Sequence, residues 1–190
     1  LYQTEVQEVN FWQDGNIFCV RLWRQLLWCL SEYLHQSILV LKTLPEEKCT
    51  FLNEEGRCLI HAFRPGFCRL FPLGRLYEKE SFVYILQTQE CHKERRTKVK
   101  ITKWLGISNL DAYEKFVSDW HYFIRDFQLL AQRMPKDLLK RWDMFFLQTF
   151  FAAPYPVLQK QAVHSDDDFY REFDRRLRAA KKQLGFDKGG

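Results

Sequence analysis

LDAYEKFVSDWHYFIRDFQLLAQR (residues 110–133) places Tyr113, Phe116, Val117, Trp120, Phe123, Ile124, Phe127, Leu130 and Ala131 at successive spacings of three and four. That rhythm predicts an amphipathic helix with a wide apolar face. Ser108 and Asp111 sit three apart ahead of it and predict a capping-box start. Downstream, Pro135 suits the first turn of a second helix carrying Leu138, Leu139, Trp142, Phe145, Phe146 and Phe150, which Ala153-Pro154-Tyr155-Pro156 then stops. Ser165 and the acids Asp166 to Asp168 open a third helix at its electropositive end. Phe169, Phe173, Leu177, Ala180 and Leu184 stripe that helix, Arg175, Arg176, Arg178, Lys181 and Lys182 crowd toward its far end, and Gly185 ends it.

Working upstream, Phe82-Val83-Tyr84-Ile85-Leu86 is β-rich and pairs naturally with Leu76-Tyr77 across residues 78–81 as a small hairpin. The expected fold is therefore mainly α: an irregular, cysteine-bearing segment with a small β-hairpin, packed on about three C-terminal helices. Three zones follow: an atypical segment at 1–44, without clear periodicity or turn punctuation, a cysteine segment at 45–103 and a helical region of the same domain at 104–190. The 190 residues, 46% hydrophobic and 28% charged, can bury a sizeable core, and only 8 Gly and 6 Pro disfavour a sandwich of short strands.

A net charge of +5 is too weak by itself to define a nucleic-acid binder. The most apolar stretch, Ile17 to Leu30, is broken by Arg21 and Arg24, so no membrane span is expected. No secretory signal is visible, and the cytoplasm is the default compartment. Six Cys in a reducing compartment suggest metal binding, redox work or burial rather than staples.

Four of those cysteines, Cys49, Cys58, Cys68 and Cys91, lie beside turn residues, separated by eight, nine and twenty-two positions. Four thiolates match a tetrahedral zinc site or an iron–sulfur cluster. Arg57, Arg64 and Arg69 flank them and would offset thiolate charge. The spacing lacks a tight Cys-x-x-Cys knuckle, so buried or incidental cysteines stay open beside metal binding. Structural roles are the first expectation for His61 and His92, and a Cys91 nucleophile paired with His61 or His121 has nothing to orient it. Lys93 to Lys103 hold six basic residues and one acid, and the alternation from Thr97 to Thr102 predicts a charged edge strand or extended loop. A phosphate patch there, with Trp104 stacking a base, is the alternative. Glycine-rich nucleotide loops and nucleophile-elbow or zincin motifs are absent from the sequence, so catalytic residues are unknown.

The wording Cys49-Thr-Phe-Leu, then Gly56-Arg-Cys58-x-Ile60-His61, then Arg64-Pro65-x-x-Cys68-Arg69-x-Phe71-Pro72 resembles the YkgJ-type cysteine-cluster family, described as a zinc- or iron-chelating domain with flagellin lysine N-methylase-like relatives. The likeness extends through Trp104, Tyr113, Phe116 and Trp120 to about residue 186. It implies a zinc or iron site, with iron as an iron–sulfur cluster in one form, held by Cys49, Cys58, Cys68 and Cys91, with Arg64 and Arg69 as supporting partners. It also implies one alternative, a protein-lysine N-methylase-like enzyme; a further alternative is a metal-free basic interaction module that lost the cluster with the family's front motif. The family's leading Cys-x-x-Cys-x-x-Cys-Cys run is missing, and Cys19 and Cys29 do not replace it. Either that run lies ahead of Leu1 or the reading frame is disturbed across 1–44. Codons for Trp12-Gln13-Asp14-Gly15, read one base on, can encode the Gly-Lys-Met-Gly that is close to what relatives carry after the double Cys.

Overall fold

The computed structural model describes residues 26–31, 36–41, 48–64, 66–89, 97–155 and 166–186. Two antiparallel hairpins and five α-helices succeed one another. Strands β1 (Leu26–Ser31) and β2 (Gln36–Leu41) pair with Leu26 opposite Leu41 and Ser31 opposite Gln36. A 3-10 turn at His61–Phe63 and helix α1 (Gly66–Leu70) lead into β3 (Leu73–Glu78) and β4 (Ser81–Leu86). Then come α2 (Ile101–Leu105), α3 (Leu110–Ala131), α4 (Lys136–Phe146) running into a π-helical turn (Leu147–Ala152), and α5 (Asp166–Leu184). The molecule is mainly α, as the sequence predicts.

Helix α3 is the spine. Its apolar stripe is the one the spacing predicts, and Tyr113 and Phe127 are fully buried. The stripe faces Phe169, Phe173 and Leu177 of α5 and Leu139 and Phe146 of α4. Aromatic edges meet aromatic faces throughout: Phe116 to Phe173 at 4.4 Å, Phe127 to Phe146 at 4.7 Å and Trp120 to Phe150 at 4.8 Å between centroids. Such edge-on pairs add about 0.5–1.5 kcal/mol each beyond area burial.

Several local expectations are corrected. The N-cap of α3 is Asn109, not Ser108: its side chain accepts from the Ala112 N–H at 3.2 Å. Pro135 precedes α4 as its cap rather than entering the first turn. Phe150 lies in the π turn, not in α4. Thr97–Lys100 are extended, but Ile101–Leu105 form a helical turn instead of strand, closed by Gly106 at φ +63°. The 1–44 segment, read as lacking pattern, contains β1 and β2.

The third helix ends as expected. Gly185, at φ +72°, donates to Lys182 O at 3.1 Å, and Phe186 N–H reaches Lys181 O at 2.9 Å. This double closure leaves Phe186 packed on the core, 6.2 Å from Phe123 between ring centroids.

Hairpin β3–β4 turns on Lys79 and Glu80, both at positive φ (47° and 64°). Both central residues in that region make the turn one whose twist matches the strands. The inner face carries Arg75, Tyr77, Phe82 and Tyr84 onto α3. Tyr77 stacks flat on His121 at 3.5 Å, and Tyr122 donates to Ser81 O at 3.0 Å. Arg75 lies 5.3 Å from the Phe82 ring centroid and 5.4 Å from that of Tyr113, and donates to the Tyr113 hydroxyl. Burial pushes the Tyr113 hydroxyl above the usual tyrosine range.

One buried cation fastens the last two helices. Arg176, 7% exposed, donates from Nη1 to Thr149 O (2.6 Å) and Ala153 O (2.9 Å) and from Nη2 to Pro154 O (2.8 Å). Its Nε meets Glu172 at 2.7 Å, and its guanidinium covers Tyr155 at 3.9 Å. Arg175 also grips Glu172, at 2.7 and 2.8 Å. Hydrogen bonds from Arg175, then from Arg176, hold the Glu172 carboxyl at about 2, against the opposing effect of burial.

Replacing Arg176 with Met strands three carbonyls and leaves the half-buried Glu172 carboxylate to Arg175 alone, and should cost about 3–5 kcal/mol in urea unfolding, at about 1–3 kcal/mol for each buried carbonyl left unpaired. Because the Glu172 pKa is lower in the folded chain than its ordinary 4.5, its contribution is full above that value and is lost as pH falls toward 2. Stability measured from pH 6 to 2 should therefore decline across that window, and Glu172→Gln should flatten that part of the decline.

Candidate metal centre

The cysteine segment begins with a tight loop. Leu52 and Cys58 form an antiparallel bridge, Leu59 N–H donates to Phe51 O at 2.8 Å, and Asn53 N–H donates to Arg57 O at 2.9 Å. The Asn53 side chain accepts from the backbones of Glu55 (3.2 Å) and Arg57 (2.8 Å), and Gly56 takes the left-handed position at φ +73°. Leu52 N–H also returns to Cys49 O at 3.1 Å. Cys49 and Cys58 thus stand at the base of one closed loop, with Phe51 and Ile60 buried beside them. The Asn53-x-x-Gly56 pairing is the sequence signal for this turn.

From Cys58 the chain turns at once: His61 N–H donates to Cys58 O at 3.3 Å. Arg64 Nε donates to His61 O at 3.1 Å, and α1 follows with Cys68 at its centre. Cys49, Cys58 and Cys68 are all free and half-buried. Burial raises the Cys68 thiol to about 11, and the charges of Cys49 and Cys58 push it the same way while Arg64 pulls it down. Three of the four predicted cysteines therefore share one electrostatic neighbourhood with one cation. Cys68 feels the charges of the other two, yet among the described residues no group of three or more Cys, His, Asp or Glu is drawn tightly enough to hold an ion. Cys91 and His92 lie outside the described residues, as does Cys19.

The two arginines expected to attend the thiols divide the work. Arg64 is the cation acting on Cys68. Arg69 spends its described bonds on backbone: Nε to Arg64 O at 2.8 Å and Nη1 to Gly106 O at 3.1 Å. It ties α1 to the left-handed turn after α2. Of the histidines weighed as partners for Cys91, His121 lies under the Tyr77 ring and His61 is exposed at the 3-10 turn. Burial, then Arg125, lowers the His121 pKa. Thr50 is a feature the sequence did not flag: beside Cys49, its hydroxyl is buried with no hydrogen-bond partner among the described residues. No spacing signal marks it, because its isolation arises from the folded loop.

Residues 23–97 match the family model described as "CxxCxxCC: Putative zinc- or iron-chelating domain". The matched stretch is similar to the chelating cysteine-cluster domain that its wording resembles. The match starts further forward than residue 45, taking in β1 and β2, and ends at 97, ahead of α2 to α5. No curated protein and no solved structure matches the chain. Among the described residues, no helix is long and apolar enough to cross a membrane.

The electrostatics predict a pH profile. In metal-free protein, alkylation of Cys68 by iodoacetamide, followed by mass spectrometry, should rise steeply above pH 9 toward a midpoint near about 11. Arg64→Ala removes the charge that favours the thiolate, so it should slow the reaction at fixed pH. Acceleration would contradict the coupling.

Proposed function

We propose that the chain is a metal-binding protein in which the thiolates of Cys49, Cys58, Cys68 and Cys91 hold zinc or iron, the latter as an ion or an iron–sulfur cluster. The observation that carries this reading is the local fold from 49 to 68: one hydrogen-bonded loop brings Cys49 and Cys58 to its base, and α1 follows directly with Cys68, which feels the charges of both. The chelating-domain match over residues 23–97 supports it. The donor chemistry fits: soft thiolates suit zinc, or iron in a cluster.

Chain reach supports the fourth ligand. Gln87 N–H bonds Pro72 O at 2.9 Å, so β4 ends beside the exit of α1. Cys91 follows four residues later, and four residues span at most about 14 Å. That is room enough to return toward Cys68.

Each chain group has a task in this reading. A bound cation supplies the positive charge that stabilises thiolate over thiol. Cys68 gives up the proton on Sγ, which burial otherwise holds in place. Arg64 keeps compensating charge near the Cys68 sulfur, and the Thr50 hydroxyl, without a partner among the described residues, could donate to a thiolate. The 51–59 loop fixes the mutual placement of Cys49 and Cys58. Arg69 steadies α1 through the backbone. Unoxidised thiols suit a reducing compartment, so the cytoplasm is the location this reading assigns.

The deciding measurement is metal analysis of anaerobically purified protein, with absorbance in the iron–sulfur charge-transfer region. Zinc or iron should copurify stoichiometrically. Cys68→Ser and Cys91→Ser should each lose it and lower the thermal midpoint of the purified protein, whereas Cys29→Ser should keep it. Absence of both metals, together with an unchanged midpoint in Cys68→Ser, defeats the proposal.

A further inference from the structure

We propose that Lys98, Lys100, Lys103 and Trp104 form a binding strip for single-stranded nucleic acid. The strip is independent of the cysteines. Residues 97–110 contain these three lysines and no acidic residue. Thr97 to Lys100 are all exposed and belong to no helix or strand, and Lys100 is extended at φ −63° and ψ 141°. At the rise of such a chain, Lys98 and Lys100 stand about 6 Å apart along the backbone. Among the described residues none of the three lysines has an ion-pair partner. By contrast, Arg171, Arg175 and Arg178 on α5 are each held by a carboxylate on their own helix.

Trp104 completes the strip. It is 44% exposed, while Leu105 beside it is 1% exposed and anchors α2 in the core. The Trp104 N–H bonds Lys100 O at 2.9 Å, which sets the indole one helical turn beyond that lysine. The Arg69 bond to Gly106 O at 3.1 Å braces the turn from behind. Trp120 and Trp142 pack among aromatic rings, but Trp104 has no ring partner among the described residues. An anchored indole with a free face beside a line of unneutralised cations is the combination that stacks a base and holds its phosphates.

Other anionic partners fit less well. A lipid surface calls for a long amphipathic helix, and α2 has five residues. Duplex DNA calls for a helix or ribbon that fills a groove. An unpaired strand needs only a stacking platform and flanking charge.

The test is fluorescence anisotropy of the full chain with a labelled twelve-nucleotide oligothymidylate at 50 and 200 mM salt. Binding should weaken at higher salt and quench tryptophan emission. Trp104→Ala should weaken it roughly 5- to 150-fold, the range for loss of one base–aromatic stack. The triple change K98Q/K100Q/K103Q should weaken it further at low salt and reduce the salt slope by about 2. These side chains are exposed, so circular dichroism and thermal midpoint should stay as in the parent. No binding, binding insensitive to both variants, or equal binding to phosphatidylserine vesicles without selectivity for the oligonucleotide would overturn the proposal.

Discussion

The architecture depends on one guanidinium. Where α4 loosens into the π turn, the backbone at Thr149, Ala153 and Pro154 presents carbonyls that no helical N–H can reach. Water is largely excluded there, so a side chain with several fixed donors has to supply the missing bonds. Arg176 does so from α5, using four of its five N–H groups, while Glu172 neutralises it from one turn earlier. A lysine has neither the fork nor the reach to three acceptors at once. The position of α5 against α4 is therefore a consequence of polar satisfaction as much as of aromatic packing.

The same logic recurs where the hairpin meets the spine. Arg75 is laid between Phe82 and Tyr113 and bonded to the Tyr113 hydroxyl, so β3 is fixed to α3 by a cation as well as by rings. Arg69 repeats the arrangement on a smaller scale, joining α1 to the turn at Gly106. Arginines thus connect the cysteine segment to the helices at successive points.

How much of this could be read from the chain depends on the range of the forces involved. The stripes of α3 and α5 were legible because burial of one face imposes a 3.6-residue rhythm, and the Gly185 stop was legible because only a left-handed residue closes that turn. Phe150 was misplaced because a π turn keeps a spacing of four while widening the backbone, and its partner Arg176 lies more than twenty residues away. The hairpin was anticipated but not its turn, since Lys79 and Glu80 lack the glycine or asparagine that announces positive φ. Alternation from Thr97 to Thr102 suggested strand, but Trp104 and Leu105 pull the chain into a helical turn. At the cysteines, residue type and wording brought Cys49, Cys58 and Cys68 into one group. They could not distinguish Arg64, which faces the thiols, from Arg69, whose described bonds are to the backbone.

The closed loop from Phe51 to Leu59 carries an entropic consequence. Its backbone bonds already hold Cys49 and Cys58 at one loop base, which lowers the entropic cost of bringing them together. Cys68 joins by moving only the short linker and one helical turn, whereas Cys91 must close the longest stretch. On the metal-binding reading, Cys49 and Cys58 would be the ligands already assembled, and Cys68 and Cys91 would complete the set from the C-terminal side.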